Sequence, residues 1–317
     1  MAFLCGKGIW LAHSHDLQRG AEMAAHITGT HLLVKVGHGP IYFPETTRNL
    51  LTRIRLLGFH PAAWLPLTHH QPELALKAIV SSLDMGYEFL VLHLGETTLT
   101  EAQILPLVEA LDNVEVPRAR LYIASPPLSH MSGIQGMKVL VPFCQGGWMP
   151  LAFGSYGGSA EVTVDRSIYQ ALGDLSSAWG ETPTIFPVLS PTADSSGSSF
   201  LPEAFIPWVE AITRHGVDFF SIFDAARTEK ALWPMLGAVK LSCSEVPATE
   251  DPVHPDRLGL PQPVFIVAKA GDTVWGFISR HGLTKTMFWE WNAHLWDDRG
   301  LPRDPDYLQE GWRIRVK

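Results

Sequence analysis

The sequence carries no block of basic residues: 24 lysines and arginines stand against 32 aspartates and glutamates, a formal net charge of −8 at pH 7. An acidic chain without a cationic stripe has little with which to neutralise a phosphate backbone, so no nucleic-acid partner is expected. It also lacks any apolar run of about 18 residues, the length that spans a bilayer, so no membrane insertion is expected. The opening residues, Met1-Ala2-Phe3-Leu4-Cys5-Gly6-Lys7, show no charged region followed by a long apolar one. No signal peptide is therefore expected, and synthesis is expected in the cytoplasm. Cysteine is scarce: Cys5, Cys144 and Cys243 are odd in number and far apart. They suggest neither a disulfide framework nor a metal knuckle, and are expected to be separate buried thiols. No GxGxxG or GxxxxGK[ST] motif follows an apolar run, so no nucleotide or other cofactor is expected.

What is present is ordinary globular material, 46% hydrophobic and 18% charged over 317 residues, enough for about two domains. Residues 241–262 (LSCSEVPATEDPVHPDRLGLPQ) are dense in proline and acid and read as a linker between a module at 1–240 and one at 263–317. The composition changes across it: five of the 11 tryptophans (Trp275, Trp289, Trp291, Trp296 and Trp312) fall in the last 55 residues.

The first module alternates short apolar runs with longer amphipathic stretches. Strands are expected at Ile9–His13, Leu32–Val36, Ala62–Pro66, Phe89–Leu94, Leu121–Ser125, Met149–Phe153, Ile185–Leu189 and Phe219–Phe223. Helical patterns lie between them, among them Leu17–Ile27, Pro72–Met85 and Val164–Trp179. Continuously apolar strands flanked by helices indicate a parallel sheet buried on both faces, and eight such units predict an α/β fold, a (β/α)8 TIM barrel. Chemistry in such a barrel collects at the C-terminal ends of the strands. Those positions hold His13, His15, Asp16, Lys35, His38, Trp64, His69, His70, His93, Glu96, Ser125, Ser155, Tyr156, Ser190 and Asp224. Carboxylates, imidazoles and aromatics around one mouth suit a polar ligand with apolar faces, such as a sugar.

In the C-terminal module an apolar run Val264–Lys269 leads to Gly271-Asp272-Thr273-Val274-Trp275, where Asp272 or Thr273 can cap a helix. Arg280-His281-Gly282 then supplies a stop. A second helical pattern ends near Asn292, and a last apolar run occupies Trp312–Val316. Trp275, Phe277, Trp289 and Trp312 read as core, since a small domain needs large apolar side chains. This ordered set resembles the LysM domain, a small βααβ module that binds glycans containing N-acetylglucosamine. The resemblance implies a sugar groove at Asp272, Thr273, Val274, Asn292, Ala293, His294 and Leu295. The long second loop, Trp296–Asp306, is similar to that of LysM modules in phage tail and contractile injection proteins. That likeness implies docking to a phage tail or injection-particle protein as an alternative partner, with release by lysis or within the particle.

The first module resembles muramidase-like glycosidase barrels in four pieces: residues 7–10 (KGIW), 30–35 (THLLVK), 91–96 (VLHLGE) and 148–157 (WMPLAFGSYG). The resemblance implies cleavage or binding of bacterial cell-wall glycan, peptidoglycan. Glycoside hydrolysis needs an acid facing a base or nucleophile. Muramidase-like barrels end the fourth strand in Asp-x-Glu. Here His93-Leu94-Gly95 stand at those places and Glu96 is displaced by one residue, so strand alternation points it elsewhere unless the loop turns. If the barrel turns over substrate, Glu96 is the expected acid, Asp16 or Asp224 the second carboxylate, and Lys35 a group that orients substrate or tunes a carboxylate. Trp64, His93 and Tyr156 are the expected sugar contacts. Two alternatives stand beside this reading: a barrel that binds without cleaving, and a metal-dependent hydrolase built on His13-Ser14-His15 with Asp224. No metal site is assigned.

Overall fold

The structure, a computed structural model, describes residues 4–38, 41–67, 72–94, 100–126, 134–153, 183–190, 202–243, 265–281, 283, 285–292 and 308–316. It divides into two compact units, Met1–His254 and Pro255–Lys317.

In the first unit the apolar runs lie side by side. In chain order the strands are β1 (Gly6–Leu11), β2 (His31–Lys35), a small antiparallel hairpin of β3 (Gly37–His38) and β4 (Ile41–Tyr42), β5 (His60–Pro66), β6 (Leu90–His93), β7 (Leu121–Ser125), β8 (Gly147–Ala152), β9 (Val188–Leu189) and β10 (Phe219–Ile222). All but the hairpin are parallel and close into a barrel in the order β1-β10-β9-β8-β7-β6-β5-β2. The expected (β/α)8 TIM barrel is the fold. The described helices of this unit are α1 (Leu17–Ile27), α2 (Pro44–Leu56), α3 (Pro72–Met85), α4 (Glu101–Asp112), α5 (Ile134–Leu140), α6 (Pro202–His215) and α7 (Trp233–Ala238). Each covers the outside of the ring with an apolar stripe; α1 buries Leu17, Ala21, Ala24 and Ile27 at helical spacing. The expected helix Val164–Trp179 lies outside the described residues.

The barrel interior is filled by alternate residues of each strand, as the pleat requires. On β1 these are Gly6, Gly8 and Trp10. A Cβ at Gly8 would stand 2.6 Å from the Phe219 ring and 2.8 Å from Leu33, so the bare glycine is what admits those side chains. Trp10 and Phe219 are fully buried, and Phe89, Tyr122 and Phe186 pack in the same cluster. Lys7 points outward, where its Nζ donates to the carbonyls of Leu236 (2.9 Å) and Gly237 (2.8 Å) at the end of α7. Those carbonyls lack helical donors, so the lysine completes them and is itself satisfied in a buried place. Burial lowers its pKa to about 8.

In this unit the expectations change at the end of the first strand and at the cysteines. The first strand ends at Leu11 rather than His13, and the chain passes into a 3-10 turn, Ser14–Asp16. Cys5 and Cys243, expected as separate thiols, form a disulfide. Barrel closure is the reason. β1 pairs with β10 from Gly6↔Phe219 onward, and Ser242 donates its N–H to the Val217 carbonyl just before β10. The two ends of the ring thereby place the cysteine Cα atoms 6.0 Å apart despite a sequence separation of 238. Cys144 is a buried free thiol.

The second unit has the order strand, helix, helix, strand: β11 (Phe265–Val267), α8 (Val274–His281), α9 (Lys285–Asn292) and β12 (Arg313–Arg315). β11 and β12 pair antiparallel from Phe265↔Arg315 to Val267↔Arg313. Val274, Phe277, Phe288, Trp312 and Ile314 form the core. Trp289 packs against it, whereas Trp275, expected in the core, is 46% exposed and has the Lys285 ammonium 5.5 Å from its ring. The helix turns Trp275 away because it follows the inward Val274 by one residue, about 100° of rotation.

Candidate functional site at the barrel mouth

The C-terminal strand ends converge on an aromatic floor. Trp10 from β1 donates its indole N–H to the Ser221 hydroxyl at 2.8 Å, and Trp64 from β5 donates to the Leu11 carbonyl at 3.2 Å. These bonds fix both rings, whose centroids are 5.2 Å apart. His93, the last residue of β6, sits between them: its ring lies 5.9 Å from Trp10, 5.7 Å from Trp64 and 5.9 Å from Phe223, with the last pair stacked. Phe153 packs on Phe223 from beyond β8. On the far side of β7, the Trp148 indole N–H donates to the Ser125 hydroxyl at 3.0 Å.

Two nitrogen groups are set into this floor. The Lys35 ammonium lies 5.2 Å from the Trp64 ring centroid, a cation–π distance, and burial lowers its pKa. His93 Nε2 is buried without a hydrogen-bond partner. Burial first, and the Lys35 charge second, bring the His93 pKa down to about 4. The ring is therefore neutral at pH 7, with polar capacity left for a ligand.

The carboxylates stand at the seam between β1 and β10. Asp16 is buried, and its Oδ2 accepts the His13 N–H at 2.9 Å. Its Oδ1 lies 3.5 Å from His15 Nε2. Asp224 is also buried, and its Oδ1 accepts the Arg227 N–H at 3.0 Å. Burial raises the Asp224 pKa and the nearby Asp16 charge adds to it, against the backbone N–H groups of Arg227 and Ala226 and the Arg227 charge. Two carboxyls with different surroundings thus share one side of the mouth.

Of the expected mouth residues, the structure brings Lys35, Trp64 and His93 together, and sets Asp16 near Asp224. Trp64 is only 4% exposed, so it forms the floor rather than a free stacking platform. The His13 and His15 rings stack on each other at 5.0 Å. Among the described residues they do not join Asp224 in a group whose donor atoms converge on one point. Glu96, Tyr156, Ser155, His69 and His70 lie outside the described residues. Trp10, Phe223 and Phe153 belong to the site but were not singled out from the sequence. Trp10 could have been found by alternation from Gly8 had the first strand been ended at Leu11.

In the second unit, Thr273 Oγ1 accepts the Gly276 N–H at 3.1 Å and caps α8. Asp272 accepts the Lys269 N–H at 2.8 Å and pairs with Arg280; these partners hold its pKa down. Val274 and Asn292 are buried, and the Asn292 amide donates to the Phe288 carbonyl at 3.0 Å. Ala293, His294 and Leu295 lie outside the described residues. No helix among the described residues is long and apolar enough to cross a membrane.

No family model matches the sequence, and no curated protein matches it. Among solved structures, the chain is similar to the catalytic domain of a hyperthermophilic chitinase from Pyrococcus furiosus, with TM-score 0.55 and 11% identity over 75% of this chain and 94% of that one. It is similar at TM-score 0.54 and 10% identity, with the same coverage, to catalytic-site mutants of active domain 2 of that organism's thermostable chitinase complexed with chito-oligosaccharides. At TM-score 0.46 and 11% identity it is similar to the glycoside hydrolase domain of PgaB (BpsB) from Bordetella bronchiseptica, over 76% of this chain and all of that domain. At these identities, what the chain shares with the two Pyrococcus structures is the fold, a closed parallel barrel.

Proposed function

We propose that the barrel mouth takes a glycan containing N-acetylglucosamine and that the protein acts on it as a glycoside hydrolase, with the C-terminal unit as a LysM-type glycan-binding module. The observation that carries this reading is the floor itself: Trp10, Trp64, His93 and Phe223 locked ring to ring, with Lys35 and an unpaired His93 Nε2 set among them. Phe223 and Phe153, the partly buried rings packed on that cluster, can meet the apolar C–H faces of a sugar, while its hydroxyl and acetamido groups seek donors and acceptors such as Lys35 and His93. The fold likeness to chitinase barrels, one of them complexed with chito-oligosaccharides, supports the substrate class. Bacterial peptidoglycan offers the same amino sugar.

In this reading Asp224 is the acid, because burial and Asp16 keep its proton on at higher pH than an ordinary carboxyl. Asp16 is the ionised partner that steadies positive charge developing at the sugar carbon. Glu96, on the chain that follows β6, is the other candidate acid. Lys35 and His93 hold the substrate over the floor. The strand–helix–helix–strand order and the Thr273 cap support the LysM reading of the second unit.

The test is release of reducing ends from peptidoglycan and from chito-oligosaccharides, with pull-down on the insoluble polymers. Wild-type protein is expected to bind and cleave. Asp224→Asn or Glu96→Gln, whichever removes the acid, should retain binding and lose about 100-fold or more in rate. Neither binding nor release by wild type would overturn the proposal. A second reading, a barrel that binds without cleaving, is favoured by one observation: Asp16 and Asp224 already spend oxygens on backbone N–H groups. Retained pull-down with no release selects it. Co-purification with a phage tail or injection particle, without glycan pull-down, would instead select docking.

A further inference from the structure

The barrel face opposite the mouth gathers a second set of polar side chains. His31 opens β2, His60 opens β5 and Glu88 lies two residues before β6, so three adjacent strands of the ring deliver them. His31 and His60 are register partners whose rings stack at 5.0 Å. Glu88 bridges them: Oε1 lies 2.6 Å from His60 Nδ1, and Oε2 lies 3.8 Å from His31 Nε2. One donor atom from each residue can be chosen so that all lie within 4.8 Å of one another. Among the described residues this is the group with that property.

We infer that His31, His60 and Glu88 form a binding site for a zinc-class divalent cation, with water completing the shell. A tetrahedral ion at about 2.0–2.2 Å from nitrogen and carboxylate oxygen sets its ligand atoms about 3.4 Å apart. The Glu88 separations from the two rings, 2.6 and 3.8 Å, bracket that value, and the three donor atoms all lie within 4.8 Å of one another, so seating the ion shifts no separation by more than about 1.4 Å. The proton now shared by His60 and Glu88 leaves to solvent as the ion takes its place.

The surroundings favour this. His31 is packed against Phe89 and Phe219. Burial and the neighbouring His60 hold its pKa at about 3, against the opposing pull of Glu88, so the ring stays uncharged. Its Nδ1 lies 2.7 Å from Thr30 Oγ1. With Nδ1–H donated to that hydroxyl, Nε2 keeps the lone pair that faces Glu88, the outer-shell arrangement that orients a metal-binding imidazole. His60 and Glu88 are each about half exposed, which gives the ion a way in. The Arg55 charge acts on Glu88, and Arg120 Nε donates to the Glu88 carbonyl at 2.7 Å, so two guanidinium groups moderate the affinity. A cation here would clasp the second, third and fourth strands of the ring on the face where barrels place stability rather than catalysis.

The test uses the full chain, stripped with chelator and titrated with Zn2+ by calorimetry and thermal melting. One equivalent should bind, and saturating Zn2+ should raise the melting temperature by about 5 °C. His60→Ala and Glu88→Gln should each abolish the shift, whereas His13→Ala at the mouth should keep it. Co2+ bound to unaltered protein should show the visible absorption of a four-coordinate ion, a readout independent of any variant's folding. No stoichiometric binding by wild type overturns the inference. So does binding that survives His60→Ala and Glu88→Gln, or binding lost in His13→Ala alone.

Discussion

Cys5 and Cys243 are joined across the seam of the barrel, so the covalent bond closes a ring that the hydrogen bonds between β1 and β10 also close. A crosslink over so long a loop removes much of the unfolded chain's freedom, and the chain-entropy account gives about 5 kcal/mol as an upper figure. Reduction, or Cys5→Ser, should lower stability by about 2–5 kcal/mol, read as a shift in the urea midpoint with and without reductant. Equal midpoints in the two conditions would contradict this. The buried Cys144 should react with a thiol reagent only after unfolding.

Stability should fall in mild acid through His93. Its folded pKa of about 4 lies below the ordinary value of 6.5, so the unfolded chain binds the proton first. The stabilisation is whole above pH 6.5 and is lost progressively as the pH falls toward 4, by about 3 kcal/mol in total. His93→Gln should flatten that part of the stability–pH curve. A variant with the wild-type slope would show that the ring titrates normally.

At Gly8 even one methyl group should be felt. Alanine there would press on the Phe219 ring and Leu33 from opposite sides, at a cost of about 1–3 kcal/mol. Thermal unfolding of Gly8→Ala measures it, and an unchanged midpoint would mean that the interior relaxes.

The mouth should lose its ligand when its cation is removed. Lys35→Met keeps the apolar stem over Trp64 but deletes the charged donors. Glycan affinity should drop about 10-fold, with little change in the melting temperature. Binding isotherms on soluble chito-oligosaccharides decide this, and undiminished affinity would remove Lys35 from the site.

In the second unit, Thr273→Ala should destabilise by about 1 kcal/mol, since the Gly276 N–H would lose its acceptor at the start of α8. Thr273→Ser should restore most of it.

The barrel was legible in the sequence because its strands are buried on both faces. Runs such as Leu121–Ser125 stay apolar throughout, and α1 and α3 carry stripes at helical spacing, so each element was visible within a dozen residues. Lys35 and His93 were legible as strand-end residues for the same reason. What stayed hidden depends on which strands become neighbours. Nothing local marks Cys5 and Cys243 as partners, or His31, His60 and Glu88 as one cluster. They meet because the ring closes and because parallel register sets strand starts side by side. Trp10 was missed through a two-residue error in the end of its strand, whereas Asp16 and Asp224 were legible as strand-end residues of one mouth and only the pairing of β1 with β10 set them near each other. The periodicity of apolar residues determined that there would be a closed (β/α)8 ring. Only closure decided which distant side chains touch, since contact between strands is set by register across the sheet and not by distance along the chain.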